Sequence, residues 1–294
     1  MKIVALLGVK DEVELIGASI NHLRSIGVDL IVAYDDGSTD GTLEVLEALK
    51  TKDDLWVVHV DRVEPWSQAI TETYRLEWAR KTNADWFLFL DADEFWIPAS
   101  GSLRDCHSLE NSDILTVDRF NVPPTRLGPL VPDEFSPSHY QDLFLCVETI
   151  PNFHLYIEQH SDVPWILGQP IVPKVLARGD VIGTVSAGGH FVEPAGDRPV
   201  RRAKPADLLI AHVPFTTFES FERKVTNIGR VIRVSPHFFS GYVAWHWKRW
   251  ASMLEAGHLR EEFERQVLDE QTLARLLEAG VIRPASAIFD ERRM

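Results

Sequence analysis

Asp91-Ala92-Asp93-Glu94 places three carboxylates within four residues, directly after the wholly apolar run Trp86–Leu90. In an extended conformation residues two apart project the same way, so Asp91 and Asp93 are expected to converge on one divalent cation. Hard oxygen donors select Mn²⁺ or Mg²⁺. An acidic pair at the end of a buried strand also sits where open parallel sheets bind ligands. A second acidic cluster, Asp35-Asp36-Gly37-Ser38-Thr39-Asp40-Gly41-Thr42, follows the apolar run Leu30–Tyr34. Its glycines permit a tight turn, and free N–H groups at a helix start favour an anion. An acidic side chain there can instead accept a hydrogen bond from a base N–H or a ribose hydroxyl. A plain strand-to-helix turn would have the same composition; the conjunction with the DxD sequence favours the nucleotide. Downstream, Gly188-Gly189-His190 follows Pro173-Lys174-Val175, and Ala211-His212-Val213-Pro214 precedes an amphipathic run. Lys174, Arg178, Arg201, Arg202 and Lys204 are basic side chains able to neutralise a diphosphate.

The elements that position these residues follow from the apolar spacing. Short apolar runs at Lys2–Val9, Leu30–Tyr34, Leu55–Val60 and Trp86–Leu90 alternate with amphipathic segments, the pattern of parallel strands joined by helices. Val13, Ile16, Ile20 and Leu23 recur at helical spacing, as do Leu43, Leu46 and Leu49, with Ser38 or Thr39 as the expected cap. Pro65 opens a third expected helix carrying Ala69, Ile70, Thr73 and Leu76. Residues 97–190 are rich in proline and show no sustained period, which predicts short elements and long loops. From Phe218 the period turns helical again through Phe221, Val225, Ile228 and Ile232, and it continues over residues 259–280. Tyr242–Trp250 is dense in aromatic and basic residues. It has three possible uses: stacking on an acceptor sugar, resting on an anionic membrane surface, or burying a Trp247 and Trp250 face, the commonest fate of such a stripe.

A net charge of −14 repels a phosphate backbone, so nucleic acid is not an expected partner. Cys106 and Cys146 are the only cysteines and are far apart, which gives neither a disulfide framework nor a zinc site and points to a reducing, cytoplasmic setting. The apolar opening run is cut off by Lys10, Asp11 and Glu12, and no run approaches about 20 apolar residues, so no membrane span is expected, although peripheral contact is possible.

The β-α-β opening, the octapeptide Asp35–Thr42 and Asp91-Ala92-Asp93-Glu94-Phe95, at their spacing, resemble the family 2 glycosyltransferases of the GT-A fold. The resemblance covers residues 1–96 strongly and residues 170–230 more thinly. It implies an α/β, GT-A-type nucleotide-diphospho-sugar transferase fold with a Rossmann-like, mostly parallel sheet. The catalytic domain would span 1–215, with a nucleotide-binding half at 1–96 and an acceptor half at 97–215, followed by a C-terminal helical extension at 216–294. It implies that Asp36 contacts the nucleobase and that Val9, Lys10 and Glu12 line the nucleotide pocket, although Lys10-Asp11-Glu12 stands where an Asn-Glu pair is common. It implies that a histidine late in the core completes a metal shell with Asp91 and Asp93. His190, flanked by glycines, is the first candidate, and His212 the second, as a phosphate donor. Asp35, Asp91 and Lys174 complete the expected nucleotide-diphosphate site.

The activity implied is metal-dependent transfer, with inversion, from a nucleotide-sugar donor, a UDP-sugar foremost, to a saccharide or small-molecule acceptor. The candidate bases, Asp142 and Asp162, come from the acids of the middle segment. The QxxRW motif of processive synthases is absent from the Tyr242–Trp250 segment. A nucleotidyltransferase on the same fold would need a glycine-rich basic loop where Gly8-Val9-Lys10-Asp11 stands. A non-catalytic nucleotide- or glycan-binding protein is the alternative of a different class.

Overall fold

A computed structural model of the 294-residue chain describes residues 1–51, 53–59, 76–125, 143–197, 199–234 and 236–293. The apolar runs become strands: β1 (Ile3–Val9), β2 (Leu30–Asp35), β3 (Leu55–His59) and β4 (Trp86–Asp91). These four lie side by side and parallel in the order β4-β1-β2-β3. Their central members are covered on both faces, which is why β1, β2 and β4 read as nearly unbroken apolar runs rather than alternating ones. The sheet continues beyond β4 through β9 (Lys174–Arg178), β6 (Ile114–Val117) and β12 (Arg202–Ala203), giving seven strands among the described residues. Only β9 runs antiparallel to its neighbours.

Helix α1 (Ile16–Ser25) buries Ile16, Ile20 and Leu23 against this sheet, as their spacing predicts. Helix α2 (Thr42–Leu49) starts later than the expected cap. Gly41, with φ of 101°, holds the N-cap position, and Asp40 Oδ1 accepts from Thr42 N at 3.1 Å, so Ser38 and Thr39 are freed for other partners. The helix expected from Pro65 falls mostly outside the described residues, within which residues 76–81 are helical.

A second, five-stranded sheet has the order β14-β8-β7-β13-β5. It comprises β5 (Glu94–Pro98), β7 (Arg119–Asn121), β8 (Phe144–Cys146), β13 (Leu208–His212) and β14 (Ile282–Pro284). A hairpin of β10 (Ile182–Val185) and β11 (Val192–Pro194) stands apart from both sheets. Helices α3 (Phe218–Val234), α4 (Trp245–Glu255), α5 (Leu259–Gln266), α6 (Glu270–Glu278) and α7 (Ala285–Arg293) form the C-terminal part. They share a core with residues of the middle segment: Phe221, Val225 and Trp250 pack with Phe153 and Trp165. Segment 216–294 also returns to the second sheet, where β14 pairs with β8.

Candidate active site

Register brings the motifs together. Gly8 of β1 lies opposite Asp91 of β4, and Val9 lies opposite Asp35 of β2, so three loops leave the sheet at one level. They form one wall of a cavity of about 640 Å³. Of the residues expected from sequence, Val9, Lys10, Glu12, Asp36, Asp91 and Asp93 line it, together with His190 and His212. Asp35 and Lys174 lie behind the wall, each with a fully buried side chain.

Asp35 shapes the octapeptide turn. Its carboxylate accepts from Ser38 N at 3.2 Å and sits 3.2 Å from His59 Nδ1. Asp36 donates its N–H to Val9 O at 2.9 Å, tying the two loops together while its side chain faces the cavity. Asp11 is the pin between loops and helix. It adopts φ of 54°, a left-handed conformation that Asp tolerates better than most residues, and is 3 % exposed. Its carboxylate accepts from Thr39 N at 2.7 Å and from Asn227 Nδ2 at 2.6 Å, and Lys10 Nζ lies 3.3 Å away. Burial alone would raise its pKa, but these donors hold it below the usual carboxylate value.

The DxD carboxylates converge by a turn, not by strand alternation. Asp91 ends β4, Ala92 and Asp93 turn, and Glu94 opens β5. Ligand oxygens of Asp91, Asp93 and Glu94 all lie within 4.8 Å of one another. The cluster is held together by cations of the chain itself. Lys174 Nζ donates to Asp91 Oδ2 at 2.7 Å and to Gly188 O at 2.7 Å, and stands 3.1 Å from Glu94 Oε2. Arg119 pairs with the other oxygen of Glu94. Lys224, on α3, lies 2.9 Å from both Asp93 Oδ2 and Glu12 Oε1. Burial raises the pKa of Glu12 to about 7, helped by Asp93 and Asp91 and opposed by Lys224. Asp93 goes the other way: burial acts upward, but Lys224 and His212 outweigh it. Burial acts downward on Lys224, and Asp93 and Glu12 reverse it to keep the ammonium charged.

The two histidines differ in what they face. β13 pairs with β5 and β7, setting His212 opposite Glu94 and Asn121. Asn121 Nδ2 donates to Ile166 O at 3.2 Å, which turns its Oδ1 toward His212 Nδ1 at 2.8 Å. An amide oxygen only accepts, so the imidazole proton sits on Nδ1 and Nε2 carries the lone pair, 3.7 Å from Asp93 Oδ2. Burial, with Arg119 and Lys224 nearby, pushes its pKa down to about 3 against the pull of Asp93. His190 Nδ1 lies 2.9 Å from Pro173 O, and its pKa falls to about 4 through burial and the Lys174 charge. It stands in the cavity wall on the Lys174 and Asp91 side. Asp162 lies on an exposed turn and is not in the cavity wall. Asp142 lies outside the described residues.

Sequence reasoning missed Lys224, Arg119, Asn121 and Asn227. Lys224 and Asn227 sit beside the apolar stripe of α3, three residues apart, so both project from one helical face toward the β1 loop. That spacing was readable; what it faced was not. The cavity's other wall is apolar and comes from residues 165–172, 214–215 and 228–250.

Residues 8–101 match the family model described as Glycosyl transferase family 2. No curated protein matches the chain. Among solved structures, S. aureus TarS 1-349 is 17 % identical with a TM-score of 0.44, covering 79 % of this chain and 65 % of that one. The same TarS fragment in complex with UDP-GlcNAc gives 16 %, 0.39, 79 % and 66 %. M. tuberculosis glucosyl-3-phosphoglycerate synthase gives 14 %, 0.36, 78 % and 66 %. The chain therefore spans just under two thirds of the length of the TarS fragment. Residues 8–101, which hold the Val9–Glu12 loop, the octapeptide turn and the Asp91–Glu94 cluster, belong to glycosyl transferase family 2.

Proposed function

We propose that the chain transfers a sugar from a nucleoside-diphosphate donor, a UDP-sugar foremost, to an acceptor hydroxyl, with inversion. The observation that carries this reading is the convergence, in one cavity, of the Asp36 turn and the Asp91–Asp93 pair, both inside the segment that matches the family. Asp36 and the Val9–Glu12 loop hold the nucleoside, since an acidic side chain beside a backbone turn accepts from base or ribose donors.

The donor set fits a hard divalent cation: carboxylate oxygens within 4.8 Å of one another and a neutral imidazole beside Asp93. Asp91, Asp93 and His212 would hold it, because both oxygens of Glu94 are taken by Arg119 and Lys174. With its lone pair beside Asp93, His212 suits the third-ligand role better than His190, the first candidate from sequence. A bound Mn²⁺ or Mg²⁺ supplies positive charge to the diphosphate leaving group. Lys224 and Lys10 add fixed positive charge beside the carboxylates. In the transfer the acceptor oxygen forms a bond to the anomeric carbon as the bond to the diphosphate oxygen breaks. The electron pair leaves with the nucleoside diphosphate, and the hydroxyl proton passes to a carboxylate, the role for which Asp142 is proposed.

Calorimetric titration of UDP with and without Mn²⁺, on the wild type and on Asp93→Asn, tests the reading. Expected are Mn²⁺-dependent UDP binding and a loss of about tenfold or more in Asp93→Asn, titrated below its melting temperature, which loss of the Lys224 pair should lower. UDP binding that ignores both Mn²⁺ and the substitution would refute the metal role, and no UDP binding at all would refute the donor.

A further inference from the structure

The wall away from the carboxylates has the chemistry of a greasy slot. Ile171, Val172, Phe215, Ile228, Val231 and Trp247 contribute apolar surface to it. Its hydrogen-bonding capacity is small. Gln169 is already engaged, donating through Nε2 to Pro170 O at 2.6 Å and accepting through Oε1 from Trp245 Nε1 at 3.2 Å. Asn227 is held by Asp11. Trp165 and His246 of this wall are adjacent rings, with centroids 5.1 Å apart. Trp165 Nε1 and His246 Nδ1 are both buried, and neither has a hydrogen-bond partner. The His246 ring is neutral, because burial pushes its pKa down to about 3.

A second, independent observation concerns the surface. Large apolar side chains are seldom left open to solvent in clusters, and here they stand next to this wall. Val172, itself a wall residue, is 56 % exposed. Tyr242 is 66 % and Val243 55 % exposed, immediately before Ala244 of the wall. Leu155 is 47 % exposed, and the adjoining His154 ring lies 4.2 Å from that of Tyr242. An apolar lining thus continues outward as an apolar rim.

From these observations we propose that the acceptor is an amphiphile: a hydroxyl-bearing polar head carried on an apolar body, an alkyl chain or an aromatic aglycone, that lies along this wall and over the rim. A bare saccharide can stack a C–H face on an aromatic ring of this wall, but the hydroxyls around its rim would be left unpaired against Ile171, Val172 and Ile228, which buried polar groups do not tolerate. An apolar body, by contrast, asks for no hydrogen bonds from this wall and gains by covering the exposed rim. The proposal rests on the glycosyl-transfer reading for what the hydroxyl does, and on the wall alone for what the body is.

The test uses the full chain with UDP and Mn²⁺ present, and binding in place of turnover, so that the identity of the head sugar does not decide it. Glucose, phenyl β-D-glucoside and n-decyl β-D-glucoside are titrated below their aggregation limits, with tryptophan fluorescence and calorimetry as readouts. Expected is that one or both glucosides bind about tenfold or more tighter than glucose. Preference for decyl assigns an alkyl chain, and preference for phenyl an aromatic aglycone. Val172→Asp and Tyr242→Ser, both at exposed positions where folding is not at stake, should weaken the preferred glucoside about fivefold and leave UDP binding unchanged. Glucose binding as tightly as the glucosides, or glucoside binding indifferent to both substitutions, would overturn the proposal. Absence of UDP binding would instead strike the donor reading, so the two failures are told apart.

Discussion

His212 Nε2 and Asp93 Oδ2, 3.7 Å apart, form the pair on which the metal assignment turns. His212→Ala should lower Mn²⁺ affinity, measured by paramagnetic resonance of the free ion in the presence of UDP, by about tenfold or more, while His190→Ala should change it far less. The opposite ranking would return the third-ligand role to His190. At this scale the sequence revealed acids better than their partners. Asp36, Asp91 and Asp93 stood out because two DxD-like clusters followed apolar runs, and they line the cavity. Asp35 and Lys174 were visible as residue types, but burial behind the wall depends on strand register, which a single sequence does not display. Lys224 was invisible for another reason: its partners, Glu12 and Asp93, lie on loops far away in the chain, and no local pattern links them.

Helix α4 separates two tryptophans that sequence periodicity treats alike. Both border the cavity, but Trp250 is 1 % exposed and donates through Nε1 to Glu262 Oε1 at 3.2 Å, whereas Trp247 is only half-buried. Trp250→Ala should therefore cost about 3–5 kcal/mol of stability in urea unfolding, with Trp247→Ala costing clearly less and weakening glucoside binding instead. Equal destabilisation by both would make Trp247 a core residue and nothing more. The same contrast shows where element-level reading stops. The strands β1, β2 and β4 and the helices α1 and α3 follow from apolar period alone. The stripe along α3 divides in a way that period does not reveal: Phe221 and Val225 enter the core, Ile228 turns to the cavity, and Arg260 covers Phe218 at 3.8 Å. The short strands of the middle segment were unreadable because three or four residues carry no period.

At the scale of the molecule, four histidines among the described residues are held neutral mainly by burial: His22 and His190 at about 4, His212 and His246 at about 3. Each is depressed relative to its unfolded value of 6.5, so between pH 6.5 and about 4 the unfolded chain binds protons that the folded chain refuses, and stability falls as pH falls. Glu12 works in the opposite direction: raised to about 7, it contributes stability at low pH that is lost as pH rises from 4.5 through 7. The four rings that take up protons on unfolding outnumber the two buried carboxyls that release them, Glu12 and Glu94, whose pKa values burial raises, so unfolding near pH 5.5 takes up protons on balance, at about 1.4 kcal/mol per pH unit for each proton of net uptake. Urea unfolding at a series of pH values should show a steep loss of stability below pH 6.5. A flat profile would mean that these rings already carry protons in the folded state.

The pairing of Lys174 and Lys224 with the acidic cluster also bears on how the chain is made. Lys174 follows Asp91 by 83 residues and Lys224 follows Asp93 by 131. A ribosome therefore releases Glu12, Asp91, Asp93 and Glu94 well before the lysines that neutralise them, although domains begin to fold from the first-made end. The nascent segment that matches the family model has strands β1 to β4 but neither β6, β9 and β12 nor the counter-charges Arg119, Lys174 and Lys224, and carboxylates this close repel one another until those arrive. Synthesis beyond residue 224 is thus needed before every partner of the site is present, and a chain arrested shortly after residue 101 should carry the family's motifs without Arg119, Lys174 and Lys224.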